Sequence, residues 1–96
     1  FYVASWPAAR ISAWDALLPA RAIENLAYSI GVNRVGIDGN DIAYNGHSAA
    51  FDFKGEKIID LGENELISIL TLSAENLETY RSKFPAWGDA DSFQIL

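Results

Sequence analysis

The sequence predicts an α+β fold, and three observations set that expectation. Short apolar runs recur along the chain, at residues 1–4, 48–53 and most continuously in ELISILTL at 65–72, as in strands covered on both faces. A single long stretch, 12–27, instead carries apolar residues at helical spacing around most of its circumference. Several strands and one buried helix leave more apolar strand surface than the helix covers, so these elements call for further layers.

Residues 1–4 form a short buried strand, ended by Trp6-Pro7 because proline donates no hydrogen bond and restrains the residue before it. Ser12 is the expected N-cap of a helix running to about residue 27. Ile11, Trp14, Leu18, Ala22 and Leu26 recur on one side; Ala13, Leu17, Ala20 and Ile23 fill a second, predicting burial between layers. Pro19 removes the hydrogen bond to residue 15 and predicts a kink or a division there. Residues 27–35 read as a strand in which Gly31 marks a bulge or a close backbone approach.

Residues 37–41, IDGND, are a turn in which Gly39 and Asn40 tolerate positive φ. Residues 48–53 and 57–61 read as a hairpin joined by Lys54-Gly55-Glu56. After a turn at 62–64, residues 65–72 predict a central strand. Ser73 caps a final helix whose Leu77, Tyr80 and Phe84 form one stripe, and Pro85 stops it. Residues 1–84 are thus a core and 85–96 an irregular tail. Its Trp87 and Phe93 are apolar enough to dock, for instance on a second subunit. No repeat, low-complexity segment or linker divides the chain.

Composition narrows the function. The formal net charge is −6, and the seven Lys and Arg are scattered without a basic patch, which argues against nucleic acid as a partner. There is no cysteine, hence no disulfide and no thiolate metal site. No phosphate loop, EF-hand or zinc spacing is present, and His47 stands alone, which favours a hydrogen-bonded structural histidine over a metal ligand. No run is long enough to cross a membrane and no secretory leader is recognisable, so a cytoplasmic protein is expected. The chain opens on FYVASW without a methionine, as if inside a strand of a larger domain.

Two stretches carry a family resemblance. ARAIENLAYSIGVNRVGIDG at 20–39, followed by GHSAAFDFKGEKI at 46–58, resembles the C-terminal part of the nitrilase superfamily of carbon–nitrogen hydrolases. YRSKFPAWGDADSF at 80–93 resembles the terminal segment of the omega-amidase-like branch, which removes ammonia from 2-oxo acid amides. The resemblance implies the C-terminal portion of an αββα four-layer sandwich that pairs through its outer helices into a homodimer. It also implies a cysteine nucleophile that forms a thioester, a glutamate for proton transfer and a lysine for the oxyanion, with no metal or organic cofactor. All three positions precede the segment corresponding to Phe1, so this chain should hold none. Its expected partners are an N-terminal segment of the same protein carrying them and a small amide substrate.

What remains here are candidate pocket residues. Ser5-Trp6-Pro7 corresponds to a loop that commonly reads Asn-Trp-Pro in the family, near the active-site mouth; Ser5 departs from that pattern. Trp6 either lines the pocket or packs on a neighbouring layer. Arg10 is placed to bind a substrate carboxylate, or is a solvated side chain. Arg21, Glu24 and Asn25 match the family's Arg-Ala-x-Glu-Asn pattern and predict a buried polar network holding helix to sheet. Asn33 and Arg34 either meet substrate or satisfy backbone. Two other readings stay open: a non-catalytic structural fragment, and a nitrilase or carbamoyl-hydrolysing relative.

Overall fold

The computed structural model describes all 96 residues. In chain order they form β1 (Tyr2–Ala4), a 3-10 turn (Ala8–Arg10), α1 (Ile11–Asn25), β2 (Ser29–Asn33), β3 (Val35–Ile37), β4 (Ala43–Asn45), β5 (Ala49–Phe51), β6 (Lys57–Asp60), α2 (Ala74–Lys83) and a 3-10 turn at Ala86–Asp89. The main sheet has the order β1-β2-β5-β6, and β3 with β4 makes a separate two-stranded ribbon. β1 runs parallel to β2, while β5 and β6 are antiparallel to their neighbours. This is the mixed helix-and-sheet architecture expected from sequence.

The core lies between α1 and one face of the sheet. Trp14, Leu18 and Ala22 repeat every four residues along α1 and pack with Ala49 and Phe51 of β5. Gly31 of β2 makes that contact close. A Cβ there would sit 2.7 Å from Trp14 Cζ2 and 2.8 Å from Leu18 Cδ2, well inside van der Waals contact. The close backbone approach expected at Gly31 is therefore the seat of α1 on the sheet.

Several expectations about α1 need correction. Ser12 is not its cap: the 3-10 turn, closed by Arg10 N–H donating to Pro7 O at 3.0 Å, feeds straight into a helix that begins at Ile11. Pro19 does not divide it, because the buried stripe of Trp14, Leu18 and Ala22 spans the proline and holds both halves to the sheet. The helix buries one stripe, not its circumference, since this chain lays one layer against it; Leu17 and Ile23 stay 42% and 54% exposed. It ends two residues earlier than expected, at Asn25, followed by the cap residue Leu26, whose φ of 48° turns the chain out and lets its N–H bond back to Ala22 and Ile23.

The strand expected over 27–35 breaks at Arg34, and its last residues pair instead with β4. β4, only three residues long, was invisible to periodicity. The turn at 37–41 is built on Asp38, whose carboxylate accepts N–H bonds from Asn40 and Ile42 and the Tyr44 hydroxyl at 2.8 Å. The Tyr44 hydroxyl first, then the two N–H groups, hold the Asp38 carboxyl below its ordinary range. Arg34 stacks over the Tyr44 ring at 4.5 Å, closing the ribbon.

β5 and β6 form the expected hairpin, with a register shift between Ala50 and Phe51. Residues 65–72 are not a strand. The sheet ends at β6, and this segment runs extended without a ladder partner. Leu66, Ser68 and Leu70 border a groove with Ile30 and Ile59 on the sheet face away from α1, while Ile67 and Ile69 stand 95% and 93% exposed. Ser73 caps α2 as expected, its hydroxyl accepting from Asn76 N–H at 3.1 Å. Tyr80 of α2 stacks on Phe53 at 4.8 Å, and Arg81 donates to Leu26 O at 2.7 Å, tying α2 to the end of α1. Trp87 and Phe93 project from the chain at 70% and 86% exposure.

Two outcomes test these contacts. Gly31→Ala should lower the urea midpoint, with an overpacking cost of about 1–3 kcal/mol and an unchanged m-value. For Asp38, a folded pKa below the unfolded value of about 3.9 means its contribution is complete above that pH and is lost as pH falls through the folded pKa. Acid titration followed by NMR of the Tyr44 ring should show the ribbon loosening only in that lower range, and Asp38→Asn should remove the transition.

Candidate functional site at the ends of the parallel strands

The pairing of Ala4 with Asn33 brings the carboxyl ends of β1 and β2 side by side. In open sheets of this kind, the crevice beyond such ends is the common ligand position. Trp6 and Arg34 leave from these ends, and Asn33 fixes the geometry between them. Only 7% exposed, it engages its amide oxygen and both amide donors. Its Oδ1 accepts Trp6 N–H at 2.7 Å, and its Nδ2 donates to Trp6 O at 3.0 Å and to Gly46 O at 2.9 Å. Its backbone N–H donates to Ser48 Oγ at 2.9 Å, and that hydroxyl donates to Asn33 O at 3.1 Å. The question left open for Asn33 is answered: its side chain satisfies backbone on two other segments at once.

Held at both its N–H and its carbonyl, Trp6 turns its ring towards α1. The indole Nε1 donates to Arg10 O at 2.7 Å, and the Arg10 guanidinium sits 5.0 Å from the ring centroid. The other side of Trp6 meets Trp14, centroid to centroid 5.8 Å. Tyr2, Trp6, Trp14, Leu17, Leu18 and Arg21 border a small, mostly apolar cleft here. The structure thus brings together two of the three expected pocket residues, Trp6 half-buried and Arg10 exposed above it; Ser5 is exposed beside them. Sequence reasoning placed Trp14 only in the core and missed that its other edge supports this shelf. Its position one turn after Arg10 was the available signal.

Arg21, Glu24 and Asn25 do bond to one another: Arg21 Nη1 pairs with Glu24 Oε1, and Asn25 Nδ2 donates to Arg21 O at 2.8 Å. The expected burial is not found. Arg21 and Glu24 side chains are 45% and 52% exposed, because they lie on the side of α1 that no other part of this chain covers. Arg34 lies on the ribbon against Tyr44, apart from the Trp6 cleft lining.

His47 is a structural histidine. Its Nδ1 lies 2.9 Å from Asp15 Oδ1, its N–H donates to Gly62 O at 2.8 Å, and its carbonyl accepts Trp14 Nε1–H at 2.9 Å. No group of three or more His, Cys, Asp or Glu comes together as a metal site. The site can therefore bind and orient: it offers an aromatic shelf and a cation, and no nucleophile of the expected kind, since the chain has no cysteine.

A chain of this fold has clear counterparts among known proteins. Residues 4–82 match the carbon–nitrogen hydrolase family, and the chain belongs to it. It is 50% identical over 95 residues to the omega-amidase YafV of Escherichia coli K12, covering 98% of this chain and 37% of that protein. It is 35% identical over 86 residues to the 2-oxoglutaramate amidase of Paenarthrobacter nicotinovorans, covering 90% of this chain and 29% of that one. Among solved structures, XC1258 of Xanthomonas campestris, a CN-hydrolase superfamily protein with an arsenic adduct in its active site, superposes with a TM-score of 0.91 at 46% identity, over 100% of this chain and 38% of that one. The chain thus spans 29% to 38% of the length of these relatives.

The clamp should be the costliest polar group to remove. Asn33→Ala leaves buried groups of Trp6 and Gly46 without partners, and about 2–4 kcal/mol of stability should be lost in urea denaturation.

Proposed function

We propose that the complete protein carrying this segment is an omega-amidase, a carbon–nitrogen hydrolase that cleaves the linear amide of a 2-oxo acid amide. The observation that carries the reading is Arg10, a guanidinium free of any carboxylate partner, held over the Trp6 shelf at the ends of β1 and β2. It is supported by half identity to an omega-amidase along almost the whole chain. A 2-oxo acid amide carries a carboxylate at one end and the scissile amide at the other. Arg10 grips the carboxylate through its planar fork, and the Trp6 face supports the carbon chain between them.

The covalent steps belong to a cysteine, a glutamate and a lysine outside this chain. The thiolate adds to the amide carbonyl, the C–N bond breaks with a proton from the glutamate to the departing ammonia, and water then hydrolyses the thioester. The lysine stabilises the oxyanion. No metal or organic cofactor takes part. This chain alone, without a cysteine, is inactive. The assembled enzyme is a cytoplasmic homodimer.

Assay of the whole enzyme on 2-oxo acid amides, nitriles and carbamoyl compounds tests the reading. The 2-oxo acid amide should be preferred, and Arg10→Gln should raise its KM by about tenfold or more with little change for a substrate lacking the carboxylate. A preference for nitriles, or an Arg10→Gln enzyme with unaltered KM, would sink it.

A further inference from the structure

We propose that Asp15 and His47 are positioning residues for the Trp6 shelf. The inference rests on the functional reading above only in its kinetic consequence. His47 adopts φ of 57°, a left-handed conformation that a side chain disfavours and that something must hold. Two consecutive residues of α1 hold it at separate points: the Trp14 indole bonds its carbonyl, and the Asp15 carboxylate bonds its ring, 2.9 and 3.1 Å from Nδ1.

Two routes then lead from His47 to the shelf. In the first, Trp14, fixed by that carbonyl, packs its ring against Trp6. In the second, the carbonyl of the adjoining Gly46 takes the Asn33 amide, which grips Trp6 N–H and C=O. The contacts close a circuit, Trp6–Asn33–Gly46–His47–Trp14–Trp6, and Asp15 ties it to a charged side chain of α1 at His47.

The other charged groups around His47 leave Asp15 as its partner. Asp60 and Lys57 of β6 border the same cleft, but Asp60 accepts Lys57 Nζ at 2.8 Å and Gly62 N–H at 2.9 Å, so they satisfy each other. The Asp15–His47 pair is itself partly exposed, 48% and 31%, and such pairs add little to global stability. Its consequence is therefore local. It fixes where the 46–47 peptide sits, and through that peptide the angle of the shelf.

The whole enzyme carrying His47→Gly, Asp15→Ala or Asp15→Asn tests this. Glycine adopts the backbone of residue 47 without strain, so His47→Gly should fold with nearly unchanged global stability. The amides of residues 5–10 should nonetheless exchange with deuterium about tenfold faster, and KM for the 2-oxo acid amide should rise about five- to tenfold with kcat within about twofold. Asp15→Ala should behave alike, and Asp15→Asn, which keeps an acceptor for the ring, should restore most of both. If exchange at 5–10 is unchanged in His47→Gly and Asp15→Ala, the pair is a surface contact and the proposal falls. It falls too if exchange quickens equally over the whole chain, which would mark a general structural role. An enzyme that does not hydrolyse 2-oxo acid amides removes the functional reading, while the exchange result still decides the positioning claim.

Discussion

The geometry of this chain depends on one buried amide. Asn33 ends β2 where its side chain pairs backbone groups of two other segments, the N–H and carbonyl of Trp6 after β1 and the carbonyl of Gly46 after β4, while the Ser48 hydroxyl pairs its own backbone. An amide offers an acceptor oxygen and two N–H donors, and here the oxygen and both donors are engaged. A carboxylate lacks the donors and a hydroxyl lacks the reach. The apolar contacts of α1 set how firmly the sheet is covered. Asn33 sets the path the chain takes on leaving it, and the Trp6 shelf is a consequence of that path.

Packing and polar geometry are joined through Trp14. One edge of its ring belongs to the stripe that seats α1 over Gly31; its N–H reaches His47 O, and its face meets Trp6. The absence of a side chain at Gly31 lets α1 approach closely enough for the indole to span from core to site. Stability and site geometry thus share a residue, so changes that loosen the helix seat also move the shelf.

Much of this was legible in sequence. The 3.6-residue stripe of α1 and the Lys54-Gly55-Glu56 hairpin each rest on local chemistry, and so does the Ser73 cap; all appear where local chemistry puts them. Other features depend on contacts that sequence does not encode locally. The Ser12 cap was displaced by a 3-10 turn, and β4 is too short to show a period. The Arg21–Glu24–Asn25 group bonded as its spacing allows, yet burial depends on what lies over α1, which spacing does not specify. The contact of Trp6 with Arg10 is local, four residues apart. The Asn33 clamp, 27 residues from Trp6, required the fold.

The segment 65–72 shows the limit most plainly. Its composition is that of a strand, and it lies extended, yet a strand is a property of two backbones and this one has no neighbour. Its alternate side chains divide accordingly: Leu66, Ser68 and Leu70 turn to the sheet face away from α1, and Ile67 and Ile69 to solvent. Val3 and Val32, 82% and 45% exposed, belong to that same face of β1 and β2. An apolar face beside an unpaired extended backbone is a surface suited to a further layer, which could supply cross-strand hydrogen bonds and apolar burial together. The carboxyl ends of β1 and β2 instead carry the polar and aromatic groups around Trp6. One sheet therefore carries two kinds of unfinished surface, a dry one suited to another layer and a cationic, aromatic one suited to a small anion.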